Sequence, residues 1–367
     1  CISSAASDVY KRQLALWCSP VSEVGGVARH VLDTVRVGVP GWRIVLVCPE
    51  GPLADQARAL GAAVITAPVS PADGMRTAVT TLRRVLQRVR PDLLHSHLAF
   101  ADLIGVAAVA GLRSGRGQRI RLVSTEHGIA GVKGYYQASR AAATVKSAAH
   151  CARLHRTDAV IAVSESTREQ ILAQWGNGAP ITVVRNGVDQ PHDVSAARPG
   201  LRVLSLSRLA PEKRIDQLLH AFAQVVREYP EARLTVAGSG PEKKALCALA
   251  EDLGLETAVS FPGRVDAEQA LREHDVVVQL SDWENLSYTL LDAVAYGLGV
   301  VATDVGGNAE IVPERCLVDG RAKETAARAI VEQGLCVASR PRASGPASAG
   351  AAGMTAEIAA VYSGVFA

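Results

Sequence analysis

The chain has 367 residues, 48% hydrophobic, 20% charged and 4% aromatic, with a formal net charge of +3. That length suits two domains of ordinary size, while 32 glycines and 17 prolines stand near background and exclude a collagen-like or disordered chain. The longest uncharged apolar stretch, Leu103 to Leu112, falls well short of the ~20 residues a membrane helix needs, and seven cysteines without a C-x-x-C pair exclude a zinc ribbon and point to small buried residues in a reducing compartment.

Ser3 to Gln13 read SSAASDVYKRQ, a string without periodicity that resembles the translation of a sequencing-library adapter. Residues 1–13 are therefore expected to be a scar outside the fold. From Leu14 short apolar runs alternate with helical patterns. Strands are expected at 14–18, 43–48, 63–66, 92–96, 120–124, 158–163 and 181–184, with helices such as Met75 to Val89 and Thr167 to Trp175 between them. Continuous apolar strands separated by helices mark a parallel sheet covered on both faces. A polar interval, Asp189 to Gly200, precedes a restart: LRVLSLS, ARLTVAG, AVSF, DVVVQL and VVAT, again with helices between. The expected domains are 14–190 and 201–338, then a Gly/Ala/Ser/Pro-rich linker at 339–353. A last helix over 354–367 carries Ile358, Val361, Tyr362 and Val365 at helical spacing, so it must pack on something.

Charge divides unevenly. Residues 14–190 hold 20 Lys+Arg against 12 Asp+Glu, and residues 191–367 hold 17 against 23. Basic residues concentrate in Met75–Arg90 and in Lys133–Arg156 (Lys133, Arg140, Lys146, Arg153, Arg156). These segments read either as solvated helix faces or as a surface for anionic headgroups or phosphorylated acceptors. Nucleic acid is not expected, because no aromatic residues interleave the charges.

Several segments carry chemistry. Gly25 and Gly26 follow the first strand and open a helix, where backbone amides can approach a phosphate. Gly238 and Gly240, in GSGPEK, come nearest to a dinucleotide fingerprint, but Lys243 stands where the third small residue belongs. Arg208 and Lys213 share one loop beyond a strand's carboxyl end, the edge where open α/β sheets bind ligands; there they could neutralise a diphosphate or be plain surface cations. Glu284 and Asp292, eight positions apart, are expected on one helix face ~12 Å apart, with amides at Leu286 and Ser287 turned to phosphate. Asn285 lies in the same segment. His95-Ser96-His97 has a metal-ligand spacing, yet no third ligand stands at a suitable distance in sequence. No metal is expected; a single imidazole bonding a hydroxyl fits better, with His127 the best candidate because Gly128 follows it in a loop.

Together these segments resemble the retaining, nucleotide-sugar-dependent glycosyltransferases of the GT-B fold, specifically family four. HSH (95–97), TEHG (125–128), DAVIAVSES (158–166) and VVRNGVD (183–189) are similar to the family's first domain. RLAPEK (208–213), GSGPEK (238–243), FPGRV (261–265) and Glu284 to Val312, which looks like the E-x7-E motif, are similar to its second. The resemblance implies two doubly wound, Rossmann-like α/β domains facing across a cleft, with the C-terminal helix returning to the first domain. The first domain would hold a lipid-linked, saccharide or other cell-envelope acceptor, and the second a UDP- or GDP-linked sugar. Arg208 and Lys213 would bind the diphosphate with help from Gly25 and Gly26, and Glu284 would contact hydroxyls of the transferred sugar. Asp292 would bind the ribose, His127 would lie near the reacting sugar, and Arg264 and Val265 beside the base; Gly238, Gly240, Asn285, Leu286 and Ser287 would complete the donor site. No cofactor or metal is implied. A cytoplasmic protein, peripheral on the inner face of the membrane, is expected. The chain departs from the family pattern at Asp292 (usually Glu), Gly299 (commonly Pro) and Asn308-Ala309 (frequently Ile/Thr-Pro). A non-hydrolysing nucleotide-sugar epimerase on the same fold and a binding-only relative remain the alternatives.

Overall fold

The computed structural model describes residues 13–128, 140–191, 197–342 and 349–367, with 140–146 described by backbone alone. The described residues divide into two compact units, one formed by those up to Asn186 together with Ala351–Ala367, the other by those from Gly187 to Gly350.

The first unit opens with β1 (Gln13–Cys18), α1 (Gly26–Val37), β2 (Trp42–Cys48), α2 (Pro52–Ala59), β3 (Ala63–Thr66) and α3 (Met75–Val89). It continues with β4 (Leu93–His97), α4 (Ala99–Ala108), β5 (Arg121–Glu126), α5 (Arg140–Leu154), β6 (Ala159–Ala162), α6 (Glu165–Trp175) and β7 (Ile181–Val183). Its seven strands lie in the order β3-β2-β1-β4-β5-β6-β7, every pair parallel. Leu16 of β1 sits between Val45 and Leu94 of its neighbours. Such a sheet is wetted on neither face, which explains why β4 and β6 are buried at every position. Helix α3 forms because Ala78, Leu82 and Leu86 make one buried stripe. It stops where Arg90 turns left-handed ahead of Pro91.

The second unit contains β8 (Arg202–Leu206), α7 (Ile215–Glu228), β9 (Arg233–Ala237), α8 (Lys243–Asp252), β10 (Val259–Gly263) and α9 (Ala267–Glu273). After these come β11 (Val276–Gln279), α10 (Tyr288–Ala295), β12 (Gly299–Thr303), β13 (Leu317–Val318) and α11 (Lys323–Leu335). The order is β10-β9-β8-β11-β12-β13, again all parallel. Gly299 begins β12 with an N–H donated to Asp275 O at 2.9 Å, and a Cβ there would lie 2.6 Å from Gln333 O. Neither a side chain nor the family's proline fits that position in this sheet.

The last helix, α12 (Gly350–Phe366), belongs to the first unit. Met354, Ile358, Val361 and Tyr362 join the buried cluster of Trp17 and Trp42, each worth ~1.5–3 kcal/mol of transfer free energy when fully buried. The Tyr362 hydroxyl accepts from Trp17 Nε1 at 2.8 Å and meets His95 Nδ1 at 2.6 Å. The helix starts earlier than the expected 354, so 350–353 are not linker. The opposite end of the expected linker is fixed too: Arg340 is buried and donates to the carbonyls of Gln333, Gly334 and Arg198. The second unit likewise begins at Gly187 rather than 201. The expected scar lies outside the described residues up to position 12, as do 343–348 of the expected linker and 192–196 of the polar interval, whereas Gln13 pairs with Trp42 in the sheet.

One buried charge ties three elements of the first unit together. Arg153 on α5, 1% exposed, pairs with Asp102 of α4 and Glu126 of β5. It also donates to His150 Nδ1 at 2.9 Å and lies 5.0 Å from the Trp175 ring centroid. Burial pushes the Asp102 carboxyl up, and Arg153 opposes that rise. Arg153 therefore does not belong to a solvated basic face, as its segment suggested. Within the same segment Lys133 lies outside the described residues, as do the side chains of Arg140 and Lys146. Arg153→Met should destabilise the protein by ~3–5 kcal/mol, because two buried carboxylates lose their partner. Arg168→Met, whose Glu165 partner is as exposed as itself, should stay within ~0.5 kcal/mol. Urea denaturation of both variants decides the comparison.

Candidate active site

In each sheet the chain winds outward from a central strand and then returns to wind the other way. The reversal falls between β1 and β4 in the first unit and between β8 and β11 in the second. Loops leaving those strands at their carboxyl ends diverge and open a crevice. Most of the candidate residues lie at or beside these two places, whereas Arg264 and Val265 follow β10, the edge strand of the second sheet.

In the second unit the loop after β8 carries Arg208 and Lys213, and the loop after β11 carries Glu284. The two loops are laced together: Asp282 N donates to Glu212 O at 2.8 Å, and Arg214 Nη1 donates to Asp282 Oδ1 at 2.9 Å. Lys213 Nζ is paired with Glu284 Oε1, which also accepts from Ser281 Oγ at 2.8 Å. Arg208 is more open, 65% exposed, and donates to the buried Glu212 at 2.6 Å. A cavity of about 560 Å³ lies beside this lacing, lined by Arg214, Ser281, Asp282, Thr303 and Asp319 among others.

Three glycines let backbones cross here. A Cβ on Gly238 would lie 1.8 Å from Ser207 O, one on Gly240 2.2 Å from Leu209 O, and one on Gly306 1.9 Å from Glu284 O. Gly238 and Gly240 thus buttress the Arg208 loop, with Leu209 N donating to Ser239 O at 3.0 Å. Gly306 backs the Glu284 loop, and Asn308, which donates to Thr303 O at 3.0 Å, holds that turn. Arg264 is exposed and Val265 half-buried, immediately after β10.

Glu284 and Asp292 do not share a helix. Helix α10 begins only at Tyr288, where Ser287 caps it by accepting from Leu290 N and donates to Gln279 Oε1 at 2.8 Å. Glu284 stands in the loop before the cap, while Asp292 is 9% exposed on the helix. The helix ends at Ala295. Leu286 is buried, and the Asn285 Oδ1 has no hydrogen-bond partner among the described residues.

In the first unit Gly25 caps α1 with an extended backbone (φ −169°), and it and Gly26 are exposed. Nothing lies within 4 Å of a Cβ built on Gly25, so the fold itself does not demand glycine there. His97 ends β4, His127 follows β5, and α1 brings His30 against them, a residue the sequence reading missed. His97 Nδ1 and His127 Nε2 are 2.9 Å apart, and His30 Nδ1 is 3.2 Å from Asn186 Oδ1. The three imidazoles gather ring nitrogens within 4.8 Å of one another. The available signal was position: His30 falls on the buried stripe of α1 with Val31 and Thr34. Among the described residues three non-glycine φ angles are left-handed: Arg90, Leu98 and Arg214. The last two directly follow His97 and Lys213, so both sites hold local strain of ~1–3 kcal/mol.

Two Rossmann-like units, each with its chemical side chains at the reversal of a parallel sheet, define the GT-B class of glycosyltransferase folds. The Anabaena protein HepE, solved with UDP and glucose, superposes with a TM-score of 0.76 at 21% identity, over 96% of this chain and 100% of that one. Residues 24–190 match Glycosyltransferase Family 4 and residues 193–332 match Glycosyl transferases group 1. The chain belongs to glycosyltransferase family 4. A GDP-mannose-dependent alpha-(1-6)-phosphatidylinositol monomannoside mannosyltransferase of Mycobacterium tuberculosis is 31% identical over 226 residues, 55% of this chain. An exopolysaccharide phosphotransferase of Streptomyces coelicolor is 30% identical over 159 residues, 42% of this chain. These matches span 58% and 17% of the two relatives' own lengths.

The histidines set an acid limit. Burial lowers His30 to about 4, partly offset by the Asn186 bond, and holds His95, His97 and His127 well below the ordinary histidine value. Above pH ~6.5 they are neutral in both the folded and unfolded chain. Below it the unfolded chain takes up protons that the folded one refuses. Stability should therefore be complete above pH ~6.5 and fall toward pH ~4, by up to ~1.4 kcal/mol per pH unit for each such histidine. Chemical denaturation from pH 7.5 to 4.5 measures the slope.

Proposed function

We propose that the chain is a retaining glycosyltransferase that moves a sugar from a UDP- or GDP-linked donor to a hydroxyl of a lipid-linked, polysaccharide or other cell-envelope acceptor. The observation that carries this reading is the Lys213–Glu284 pair at the reversal of the second sheet, with Arg208 on the same loop as Lys213. Breaking the anomeric C–O bond leaves negative charge on the diphosphate and oxocarbenium character on the sugar. Fixed cations aimed at the leaving phosphate are then the largest stabilising contribution. Without donor, Lys213 satisfies itself on Glu284. With donor, its ammonium turns to the diphosphate and frees the carboxylate for sugar hydroxyls.

The other roles follow the same chemistry. Asp292 accepts from the ribose hydroxyls, Arg264 and Val265 flank the base, and the amides at Gly25 and Gly26 approach the diphosphate. His127, held neutral by burial, bonds a hydroxyl near the reacting carbon. The departing phosphate oxygen takes the acceptor's proton as its hydroxyl attacks from the same face. Configuration is thereby retained without a protein base, and two cations do at the diphosphate what a divalent metal does elsewhere. The GDP-mannose of the mycobacterial relative and the UDP and glucose bound to HepE support a nucleotide-sugar donor.

Thermal shift across a panel of nucleotide-sugars should single out one donor, and NMR of the product should show an unchanged anomeric configuration. Lys213→Ala and Arg208→Ala should each lower transfer at least ~10²-fold; near-normal rates in both purified variants would remove these residues from the mechanism.

For the acceptor we propose peripheral docking on an anionic membrane, on the cytoplasmic side. Arg76, Arg84, Arg88 and Arg90, on and just after α3, are exposed. Arg90 keeps its exposure while donating to Ser114 O at 3.1 Å, whereas the half-buried Arg83 donates to the Ala108 and Ala110 carbonyls. Among the described residues no helix is long and apolar enough to cross a membrane. Four such cations at ~1 kcal/mol each support reversible attachment, which must weaken as salt shortens the Debye length. Co-sedimentation with phosphatidylserine vesicles should show binding at low salt that is lost at high salt. Binding indifferent to salt and lipid charge ends the docking proposal and leaves the transferase reading intact.

A further inference from the structure

We infer that Arg214 is a positioning residue: through Asp282 it holds the Lys213 loop and the Glu284 loop in register while the Lys213–Glu284 pair opens to take the donor. The inference rests on the transfer reading above and deepens it.

Arg214 breaks two local rules. Its backbone is left-handed (φ 49°, ψ 40°), a conformation that glycine takes freely and a residue with a Cβ resists. The junction requires that turn. Arg214 N closes the short helical turn Pro211–Lys213 by donating to Pro211 O at 3.2 Å, and Arg214 O accepts from Gln217 N at 3.1 Å as α7 begins. The same place puts a cation at the N-terminus of that helix, where the backbone dipole already presents positive charge. Asp216, with Oδ1 3.5 Å from Arg214 Nε, offsets part of this. Glycine would satisfy backbone and dipole alike, so what arginine adds at 214 is its side chain. A residue that breaks local preference in an otherwise consistent fold marks a functional constraint.

The side chain reaches across to the other loop. Its Nη1 donates to Asp282 Oδ1 at 2.9 Å, and both residues are half-buried. Asp282 is thus gripped twice by the loop after β8, at its N–H by Glu212 O at 2.8 Å and at its carboxylate by Arg214. Lys213 stands between those two gripping residues, and Glu284 follows closely after Asp282. On their far side the loops back onto the cavity of about 560 Å³, whose lining includes Arg214, Ser281, Asp282, Thr303, Asp304 and Asp319. Open space rather than packed side chains faces them there.

The link matters most once the donor is bound. Without donor the Lys213–Glu284 pair also spans the two loops. When Lys213 turns to the diphosphate and Glu284 to sugar hydroxyls, that connection is gone. The Arg214–Asp282 pair and the Asp282 N–H bond then keep the cation and the carboxylate in register. A misplacement of ~1 Å at this point can lower a rate ~10²-fold.

The test compares the full chain with Arg214→Gly, Arg214→Lys and Asp282→Ala. In Arg214→Gly, relief of the left-handed angle and loss of a half-buried ion pair oppose each other, so the melting temperature should stay within ~3 °C of the parent. Hydrogen exchange read by mass spectrometry should nevertheless quicken at least ~10-fold in peptides covering 280–286, and not elsewhere in the second unit. Turnover is read as UDP released from UDP-glucose, or GDP from GDP-mannose, with water as the acceptor. There kcat should fall at least ~10-fold while KM changes less than ~3-fold, the pattern of lost transition-state alignment. Arg214→Lys, which keeps the charge, should recover part of both losses, and Asp282→Ala should reproduce them. The double variant R214G/D282A should be no worse than either single one, as expected for two halves of one link. Unchanged exchange or unchanged kcat in Arg214→Gly overturns the proposal, as does exchange that quickens throughout the unit with a lower melting temperature. A parent that releases nucleotide from neither sugar donor counts against the transfer reading, while exchange at 280–286 still decides whether Arg214 holds the loops.

Discussion

Every chemical feature described depends on one constraint, the parallel pairing of strands that wind outward and then reverse. Parallel strands place all their carboxyl ends along one edge, so the loops that leave them share that edge. Only at the reversal do adjacent loops run in opposite directions and leave room for a ligand. The second sheet puts a cation-bearing loop beside a carboxylate-bearing loop at its reversal, and the first sheet puts three imidazoles there. The two sheets answer the same geometry with different chemistry, charge in one and neutral lone pairs in the other.

The loops at these places are held rigid by backbone crossing more than by side chains. Gly238, Gly240 and Gly306 allow main chain to lie where any Cβ would collide with a carbonyl. Leu98 and Arg214 accept left-handed angles immediately after His97 and Lys213. Such strain persists only where surroundings over-determine it, and the laced loops, together with the Arg153 ion cluster behind Glu126, supply that support. Position here is bought with small residues and buried charge.

Much of the fold could be read from the sequence because buried parallel strands are continuous apolar runs. The strands near 43–48, 63–66 and 181–184 stand where their composition puts them, and α3 spans Met75–Val89. The start of α10 was misjudged because Glu284 and Asp292 have helical spacing, although Ser287, a strong capping residue, marks the true boundary. Arg153 looked like a surface cation because nothing local reveals that Asp102 and Glu126, distant in sequence, converge on it. His30 showed only its buried place on α1, because it meets His97 and His127 through the adjacency of β1, β4 and β5. Local periodicity reports elements; it does not report which elements become neighbours.

The placement of α12 governs the order in which the protein can be completed. Its aromatic and aliphatic face covers Trp17 and Trp42, and its Tyr362 satisfies the indole of Trp17 and one nitrogen of His95. Those partners lie in β1, β2 and β4, whereas the chain between Asn186 and Ala351 builds a different unit. During synthesis the ribosome therefore releases the first sheet with an apolar face uncovered and two polar ring atoms unmatched. That surface stays open while the entire second unit is made. Residues 351–367 close the first core only after that unit has been made, and until then an apolar surface stands open to chaperone capture and aggregation.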